Sequence, residues 1–308
     1  MFSVIFPGQG SQLVGMGKEF FNKYDLVKKI FREADETLEF PLSKIILEGP
    51  KEKLDITINT QPAIFLVSYS IFNVIKKEFN INLNNAKYFA GHSLGEYSAL
   101  STAGYLSFSK TIKLLKTRGD AMQNAVPKGQ GGMLAVLGST VENIEKIISE
   151  NHKNFFVEIA NDNSFGQIVL SGKNNDLSKM IEFLKSKNIK NIKLPVSAPF
   201  HCKLMNKATK VMKEEIQKTD FQDGKNILIS NVTADEVFKK DELKNLLIDQ
   251  IENRVRWRET VSKMIKNGVN HFIEIGPGKV LSGLVKRIDK SVKINTINNV
   301  DDIQEIKI

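Results

Sequence analysis

The stretch Gly91-His92-Ser93-Leu94-Gly95, followed directly by Glu96-Tyr97-Ser98-Ala99-Leu100, decides how the rest of the chain is interpreted. A serine in the spacing G-x-S-x-G fits a sharp turn between a strand and a helix, because larger residues at the glycine positions would collide with neighbouring backbone. Residues 88–90 form a short apolar run typical of a buried strand, and residues 94–101 favour a helix. The stretch therefore predicts a turn that holds Ser93 exposed and reactive.

The position of Ser93 at the start of the predicted helix adds a chemical argument. Unpaired N–H groups and the helix dipole at such an end favour negative charge, as on a tetrahedral intermediate. The pattern G-x-S-x-G also occurs in ordinary glycine- and serine-rich loops, so a purely structural turn is the alternative at this point.

Composition indicates a globular protein with an acidic partner. The 308 residues are 41% hydrophobic and 26% charged, and the net charge is +9. This charge favours partners such as phosphates or an acidic protein, although a general richness in lysine would produce the same value. There is no block of Lys and Arg and no interleaved aromatic stripe, so we expect no nucleic-acid partner.

The single cysteine and the lengths of the apolar runs indicate the cellular compartment that we expect. Cys202 alone allows neither an internal disulfide nor a cysteine-based zinc site, and it is compatible with a reducing compartment. No run approaches the roughly 18 apolar residues of a membrane span, and residues 1–6 lack the charged start of a signal peptide. We expect a cytoplasmic monomer without a metal, a cofactor or a membrane partner.

The predicted elements alternate between strand and helix, which indicates an α/β fold. A first strand, 2–6, leads into the glycine-rich loop 7–12, and apolar residues at helical spacing mark helices at 18–38, 61–79 and 111–123. After Pro199 we expect further helices and strands. These later elements are predicted at 204–218, 226–230, 241–251, 257–267, 271–275 and 279–287.

A different order of elements between these parts predicts an inserted domain. Strands at 133–137, 155–159, 167–170 and 191–196, with helices at 141–151 and 176–187, give the ferredoxin-like order β-α-β-β-α-β. We therefore predict a large α/β-hydrolase-like domain with a parallel sheet, formed by residues 1–126 and 198–308. The smaller ferredoxin-like domain occupies residues 127–197.

A serine nucleophile needs a base, and the chain has four histidines. His92 adjoins Ser93, and neighbouring side chains at such a turn point apart, so a pocket or structural role is favoured. His152 follows a surface helix, and His271 opens a strand. His201 lies in the loop where the inserted domain returns to the large one, and such crevices host sites, so His201 is the favoured base.

Six ordered motifs spread over nearly the whole chain resemble the malonyl-CoA:acyl carrier protein transacylase family. They are Phe6-Pro7-Gly8-Gln9-Gly10-Ser11-Gln12, Gly91-His92-Ser93-Leu94-Gly95-Glu96, Arg118-Gly119, Ala160-Asn161-Asp162-Asn163, Ser197-Ala198-Pro199-Phe200-His201 and Glu274-Ile275-Gly276-Pro277-Gly278. The sequence departs from the family pattern at two places. Phe165 stands where proline or alanine is usual, and Arg254 replaces a common proline.

The resemblance implies a role for each site residue. Ser93 would be acylated, His201 would be its base in a Ser-His dyad, and Arg118 would pair with the malonyl carboxylate. The forked guanidinium suits a carboxylate, although a surface arginine is the alternative.

Further roles follow from the same resemblance. The backbone N–H groups of Gln9 and Leu94 would form the oxyanion hole, Gln250 would lie near the histidine, and a backbone carbonyl would orient the imidazole. We also expect Gln250, Phe200 and His92 to contribute to substrate binding. Cys202 is predicted to be structural.

The implied function is transfer of a malonyl group from malonyl-CoA to an acyl carrier protein, by ping-pong kinetics, for fatty acid synthesis. A hydrolase with an α/β-hydrolase fold would share G-x-S-x-G, but that fold requires an acid before the histidine and gives no reason for Arg118. A non-catalytic carrier-binding module is the other alternative. The net charge of +9 predicts electrostatic docking of an acidic carrier protein.

Overall fold

Two separate β-sheets organise the protein in the computed structural model, which describes residues 1–196 and 198–308. The strands of both sheets are numbered in chain order. They are β1 (Phe2–Phe6), β2 (Tyr88–Gly91), β3 (Gly131–Leu137), β4 (Val157–Ser164), β5 (Gln167–Lys173), β6 (Lys190–Lys193), β7 (Ile227–Ile229), β8 (Glu236–Val237), β9 (His271–Ile275) and β10 (Lys293–Ile297).

Helices surround the larger sheet and pack on the smaller one. They are α1 (Lys18–Lys23), α2 (Asp25–Leu38), α3 (Leu42–Glu48), α4 (Lys51–Leu54), α5 (Thr57–Lys77), α6 (Leu94–Thr102), α7 (Phe108–Asn124), α8 (Val141–Glu150), α9 (Asn174–Ser186), α10 (Asn206–Lys218), α11 (Lys240–Asp249), α12 (Trp257–Lys266) and α13 (Val280–Ile288).

The larger sheet is mixed and has the strand order β10-β9-β1-β2-β7-β8. All its pairs are parallel except β7 with β8. The central strands β1, β2 and β9 are buried over nearly their whole length, as expected for parallel strands covered by helices on both faces. One core lies against α5 and α7, and a second core on the other face contains Trp257 of α12. The protein therefore has an α/β fold.

The smaller sheet is antiparallel, with the strand order β4-β5-β3-β6. The chain enters it at Gly131 and passes through β3, α8, β4, β5, α9 and β6 in turn. Its own apolar core lies between the sheet and the two helices, around Leu134, Ile144 and Leu177. The strand predicted at 155–159 is longer than expected, because β4 continues through the polar residues Asn161, Asp162 and Asn163.

The helix predicted at 18–38 is wrong as one element, because the chain is extended at Tyr24 (φ −120°, ψ 120°). Two helices result, α1 and α2. The α2 helix begins with Asp25, and an acidic side chain in a first turn favours a helix start. Burial of Phe20 on α1 and Val27 on α2 in the main core holds both helices against the same face.

Within the described residues, α5 is the one helix long and apolar enough to cross a membrane. Inside the protein, 83% of its most apolar stretch of 18 residues is buried. It packs closely against α7, which carries Arg118. Such burial is typical of a core helix.

The register of the parallel strands brings three loops together. Phe6 at the end of β1 lies opposite Gly91 at the end of β2, and Ile5 lies opposite Glu274 of β9. The loops after β1, β2 and β9 therefore leave the same edge of the sheet, where ligands bind in open α/β sheets.

Candidate active site

The turn that carries Ser93 is as tight as its sequence predicts. Strand β2 ends at Gly91 and α6 begins at Leu94, and Ser93 between them has φ 54° and ψ −111°. A Cβ atom on Gly91 would lie 2.0 Å from the carbonyl carbon of Gly95, and one on Gly95 would lie 2.3 Å from the oxygen of Phe6. Only glycine fits at either position, so the backbone fixes the place of the serine hydroxyl.

Ser93 and His201 are in direct contact. The Ser93 Oγ lies 2.8 Å from His201 Nε2, and His201 Nδ1 lies 2.7 Å from the main-chain oxygen of Gln250. A carbonyl oxygen only accepts, so Nδ1 carries the ring proton and Nε2 is free to accept the proton of Ser93. The imidazole is thereby held in the tautomer that a general base requires.

The environment of His201 keeps the ring neutral. The side chain is only 4% exposed. Burial, followed by the nearby positive charge of Arg118, lowers the pKa of His201 to about 3. The free protein therefore holds an unprotonated acceptor next to the serine hydroxyl at neutral pH.

Arg118 is buried beside the same hydroxyl and contacts three acceptors. Its Nη2 donates to Ser93 Oγ at 3.2 Å and to Gln250 Oε1 at 2.8 Å, and its Nη1 donates to Gln61 Oε1 at 2.7 Å. The guanidinium also lies 5.5 Å from the centroid of the Tyr97 ring. The surface alternative for Arg118 is wrong, because only 1% of this residue is exposed.

Close packing of α7 against α5 determines how deeply the Arg118 side chain is buried. The next residue, Gly119, faces α5 so closely that a Cβ atom would lie 2.6 Å from the oxygen of Thr57. Any larger residue would push α7 away from α5 and move the guanidinium from the serine. The close packing of α7 on α5 thus explains why a glycine follows Arg118 in the sequence.

Gln250 joins these groups, and its side chain is fully buried. Besides holding His201 and Arg118, it donates from Nε2 to the Ser93 main-chain oxygen at 3.0 Å and to Glu96 Oε2 at 2.6 Å. The sequence predicts that Gln250 lies near the histidine and contributes to substrate binding. In the structure its backbone contacts the base and its side chain contacts the arginine.

Three residues in this network are absent from the sequence prediction. Asn231 accepts from the Ser93 N–H at 2.7 Å and donates to the Gly91 oxygen at 2.7 Å. Glu96 accepts from Gln250, and Gln61 accepts from Arg118. Glu96 gave one available signal, since an acid three residues after the serine in an otherwise apolar helix is unusual.

Gln9 and Leu94 carry the backbone amides predicted for an oxyanion hole. Leu94 is the first residue of α6, and Gln9 lies in the loop after β1; both residues line the same cavity as Ser93. Within residues 1–196 and 198–308, neither amide donates a hydrogen bond to another group. Both residues with these unpaired amides thus line the cavity that contains the nucleophile. The Gln9 side chain points to Thr57 Oγ1, at 3.4 Å.

The other histidines lie away from the Ser93 hydroxyl. His92 lines the cavity, with Nε2 2.8 Å from Asn163 Oδ1 and its ring 5.8 Å from that of Trp257, and burial lowers its pKa. His271 contacts Asn295 within the sheet, and His152 is bonded to the Ser149 oxygen at the surface. Cys202 is buried with Sγ 3.1 Å from the Pro199 oxygen, and burial raises its pKa to about 12.

A cavity of about 510 Å³ opens over the serine, between the two sheets. One side of it, here called the polar wall, comprises Gln61, Ser93, Arg118 and His201. Apolar side chains that line the same cavity, here called the apolar wall, are Met133, Val169, Leu194, Val196 and Phe200. Ser171 of β5 donates to the Phe200 oxygen at 2.5 Å and fixes this loop. Ser197, part of the motif before His201, lies outside the described residues.

The two departures from the family pattern lie outside this cavity lining. Phe165 is exposed at the turn between β4 and β5, where the Arg258 guanidinium lies 5.3 Å from its ring centroid. Arg254 pairs with Glu145 at 2.7 Å and so links α8 to the chain before α12. Each departure therefore takes part in a contact with an arginine: Phe165 with Arg258, and Arg254 itself with Glu145. Both contacts join the part of the chain around the smaller sheet to the segment at α12.

Comparison with known proteins gives matches over the whole chain. Residues 3–306 match the family described as acyl transferase domain. The malonyl CoA-acyl carrier protein transacylase of Bacillus subtilis is 42% identical over 302 residues, covering 97% of this chain and 94% of that protein.

Solved structures agree with these sequence matches. An acyl-carrier-protein-S-malonyltransferase from Bartonella henselae is 40% identical, with a TM-score of 0.96 over 99% of this chain and 97% of that one. A malonyl-transacylase in complex with its type II PKS acyl-carrier protein is 34% identical, with a TM-score of 0.94 over 98% of this chain and 97% of that one.

Proposed function

The chain belongs to the acyl transferase family, and we propose that it transfers a malonyl group from malonyl-CoA to the phosphopantetheine thiol of an acyl carrier protein, a step of fatty acid synthesis. The observation that carries this proposal is the buried Arg118, whose Nη2 lies 3.2 Å from the Ser93 hydroxyl. A fixed positive charge at that distance suits an acyl group with a second, ionised carboxyl group. Similarity to transacylases along nearly the whole chain supports it.

The first half of the reaction acylates Ser93. His201 Nε2 takes the serine proton while Oγ attacks the thioester carbon of malonyl-CoA. The tetrahedral intermediate collapses, the C–S bond breaks, and the coenzyme A sulfur leaves with the proton from His201. The product of this half is a malonyl ester on Ser93 and free coenzyme A.

The second half runs the same steps with a different thiol. The phosphopantetheine thiol gives its proton to His201 and attacks the ester carbon, and the Ser93 oxygen leaves and takes that proton back. Two substrates that use one serine in turn give ping-pong kinetics. The orientation of His201, with Nδ1 held by the Gln250 carbonyl and Nε2 2.8 Å from Ser93 Oγ, supports a Ser-His dyad.

The amides of Gln9 and Leu94 are proposed to hold the oxyanion in both halves. Both residues line the cavity at the serine. A pair of N–H groups aimed at a developing oxyanion is a large source of rate enhancement. Each step exchanges an acyl group between an oxygen and a sulfur. His201 is the proton acceptor in this proposal, and the two amides are the donors to the oxyanion. The proposed reaction includes no cofactor.

We propose that Arg118 selects malonyl over acetyl by pairing with the free carboxylate. The guanidinium is held by Gln61 and Gln250, so the donor geometry exists before the substrate arrives. A buried carboxylate without a partner is costly, and acetyl has no carboxylate to place there. Phe200 on the apolar wall would limit the space near the malonyl α-carbon.

We also propose that the two sheets correspond to an α/β-hydrolase-like unit and an inserted ferredoxin-like unit. The order β-α-β-β-α-β and the antiparallel sheet β4-β5-β3-β6 support the second part. The parallel strands around the Ser93 turn support the first part. In this arrangement the catalytic groups come from the large unit, and the insertion covers them.

A transfer assay with a holo acyl carrier protein tests the function. We expect malonyl-CoA to yield malonyl carrier protein, with parallel double-reciprocal lines when both substrates are varied. Release of coenzyme A without a carrier should be much slower. Rapid hydrolysis of malonyl-CoA that a carrier protein does not redirect would instead indicate a thioesterase and contradict the proposal.

A further inference from the structure

Glu96 is a buried acid next to the catalytic groups to which the proposed reaction assigns no step. It lies in the first turn of α6, three residues after Ser93, and is only 1% exposed. Its Oε2 accepts from Gln250 Nε2 at 2.6 Å and from the Asn231 N–H at 3.3 Å. Burying a carboxyl group this deeply costs free energy of folding, so hydrogen bonds that offset the cost are expected.

The geometry points to Glu96 as a positioning residue that fixes the orientation of the Gln250 side-chain amide and thereby keeps Arg118 aligned for the acyl group. This inference rests on the proposed function, because it concerns selection of a malonyl group. Glu96 itself touches neither Ser93 Oγ nor the His201 ring in the hydrogen-bond network.

The two ends of the Gln250 side-chain amide are not interchangeable. Glu96 Oε2 is an acceptor, and Arg118 Nη2 is a donor, so the Gln250 Nε2 must face Glu96 and the Oε1 must face Arg118. If the amide turned over, its NH₂ group would face the guanidinium, and donor would oppose donor. The ionisable oxygen of Glu96 is the strongest acceptor within reach of Nε2, at 2.6 Å against 3.0 Å for the Ser93 oxygen.

Gln250 transmits this constraint to two places. Its Oε1 holds Arg118, and its main-chain oxygen holds His201. The side chain, unlike the backbone, depends on Glu96 for its orientation. Loss of Glu96 should therefore affect the carboxylate-binding arginine more than the histidine.

The test measures kcat and KM for malonyl-CoA and acetyl-CoA in Glu96→Met, which keeps a similar length but removes the acceptor. We expect the ratio of kcat/KM values, malonyl over acetyl, to fall about tenfold, mostly through a higher KM for malonyl-CoA. Glu96→Gln, which restores an oxygen acceptor, should recover most of the ratio. An unchanged ratio in folded Glu96→Met, or an equal loss for both substrates, would overturn the inference.

Two further variants separate positioning from loss of stability. Glu274→Gln alters another buried acid, whose carboxylate accepts from the backbone of Leu281 and Ser282. It should lower the Tm and leave the ratio unchanged. If Glu96→Met fails to fold, Glu96→Asp keeps the charge but retracts the carboxylate, and a fall in the ratio is again expected; an unchanged ratio would overturn the inference.

A double-mutant cycle with Gln250→Met tests whether Glu96 acts on Arg118 through Gln250. If Glu96 acts through Gln250, the two substitutions together should change the ratio no more than Gln250→Met alone; fully additive effects would overturn the inference. The proposed function fails separately, by an absent malonyl adduct or absent transfer in the unaltered protein. Failure of this inference leaves both of those intact.

Discussion

The two walls of the cavity differ in how their side chains are held. On the polar wall, Ser93, Arg118 and His201 contact one another or share Gln250 as a partner, so they form one connected network. On the apolar wall, Met133, Val169 and Phe200 belong to the main apolar core and interact through packing. A change on the polar wall should therefore spread to the chemistry, whereas a change on the apolar wall should alter only the shape of the cavity.

The largest expected effect tests the polar wall at the base. His201→Ala removes the only acceptor at 2.8 Å from the Ser93 hydroxyl within the described structure. We expect kcat for transfer to fall by roughly 10²–10⁴, the usual contribution of general acid–base catalysis. Steady-state transfer kinetics measure this loss, and circular dichroism checks that the fold is intact.

His152→Ala is the matched control, because that histidine is exposed and its ring contacts the Ser149 oxygen, away from the cavity. It should leave kcat unchanged. Near-normal turnover in His201→Ala would place the base elsewhere and break the idea of a single connected polar wall.

The next effect concerns the arginine. Arg118→Ala removes a charge-assisted contact worth roughly 1.5–3 kcal/mol, so kcat/KM for malonyl-CoA should fall about 10- to 100-fold while that for acetyl-CoA changes little. Arg118→Lys should recover only part of the loss because the fork is absent. The ratio of the two kcat/KM values is the measurement.

Arg258→Ala provides the comparison for Arg118, since it removes an arginine paired with the buried Asp162 but absent from the cavity lining. We expect a lower Tm and an unchanged ratio. An equal fall for both thioesters in Arg118→Ala would mean that this arginine holds the structure or contacts coenzyme A.

The smallest effect tests the apolar wall. Phe200→Ser enlarges the cavity that Ser93 also lines, so discrimination against methylmalonyl-CoA should weaken about five- to tenfold, at the low end of the cost of one methyl group in an apolar pocket. Phe200→Leu, which stays apolar and large, should change it less. If Phe200→Ser lowers malonyl transfer as strongly as His201→Ala, then the two walls are not separable.

The parts of the fold that the sequence predicts are those with strong local patterns. The turn at Ser93 follows from two glycines that have no space for a Cβ atom. The strands β1 and β9 have the predicted bounds because they are uniformly buried runs. The half-exposed strand β10 and the short helix α3 were absent from the prediction, since their polar and apolar residues give no clear period.

The candidate site divides in the same way. Ser93, His201 and Arg118 are recognisable because their chemistry and their motifs are visible in the chain. The contacts of Gln61, Glu96 and Asn231 depend on how α5, α6 and the segment after β7 meet in three dimensions. No local pattern encodes which amide oxygen faces which donor, so these residues required the structure.

The most direct test of the account is the intact mass of the protein after brief exposure to malonyl-CoA. The unaltered protein should gain the mass of one malonyl group, and so should Ser98→Ala, which changes a buried serine one turn further along α6. Ser93→Ala should gain none. A malonyl adduct that persists in Ser93→Ala would contradict the assignment of the nucleophile and the polar wall built around it.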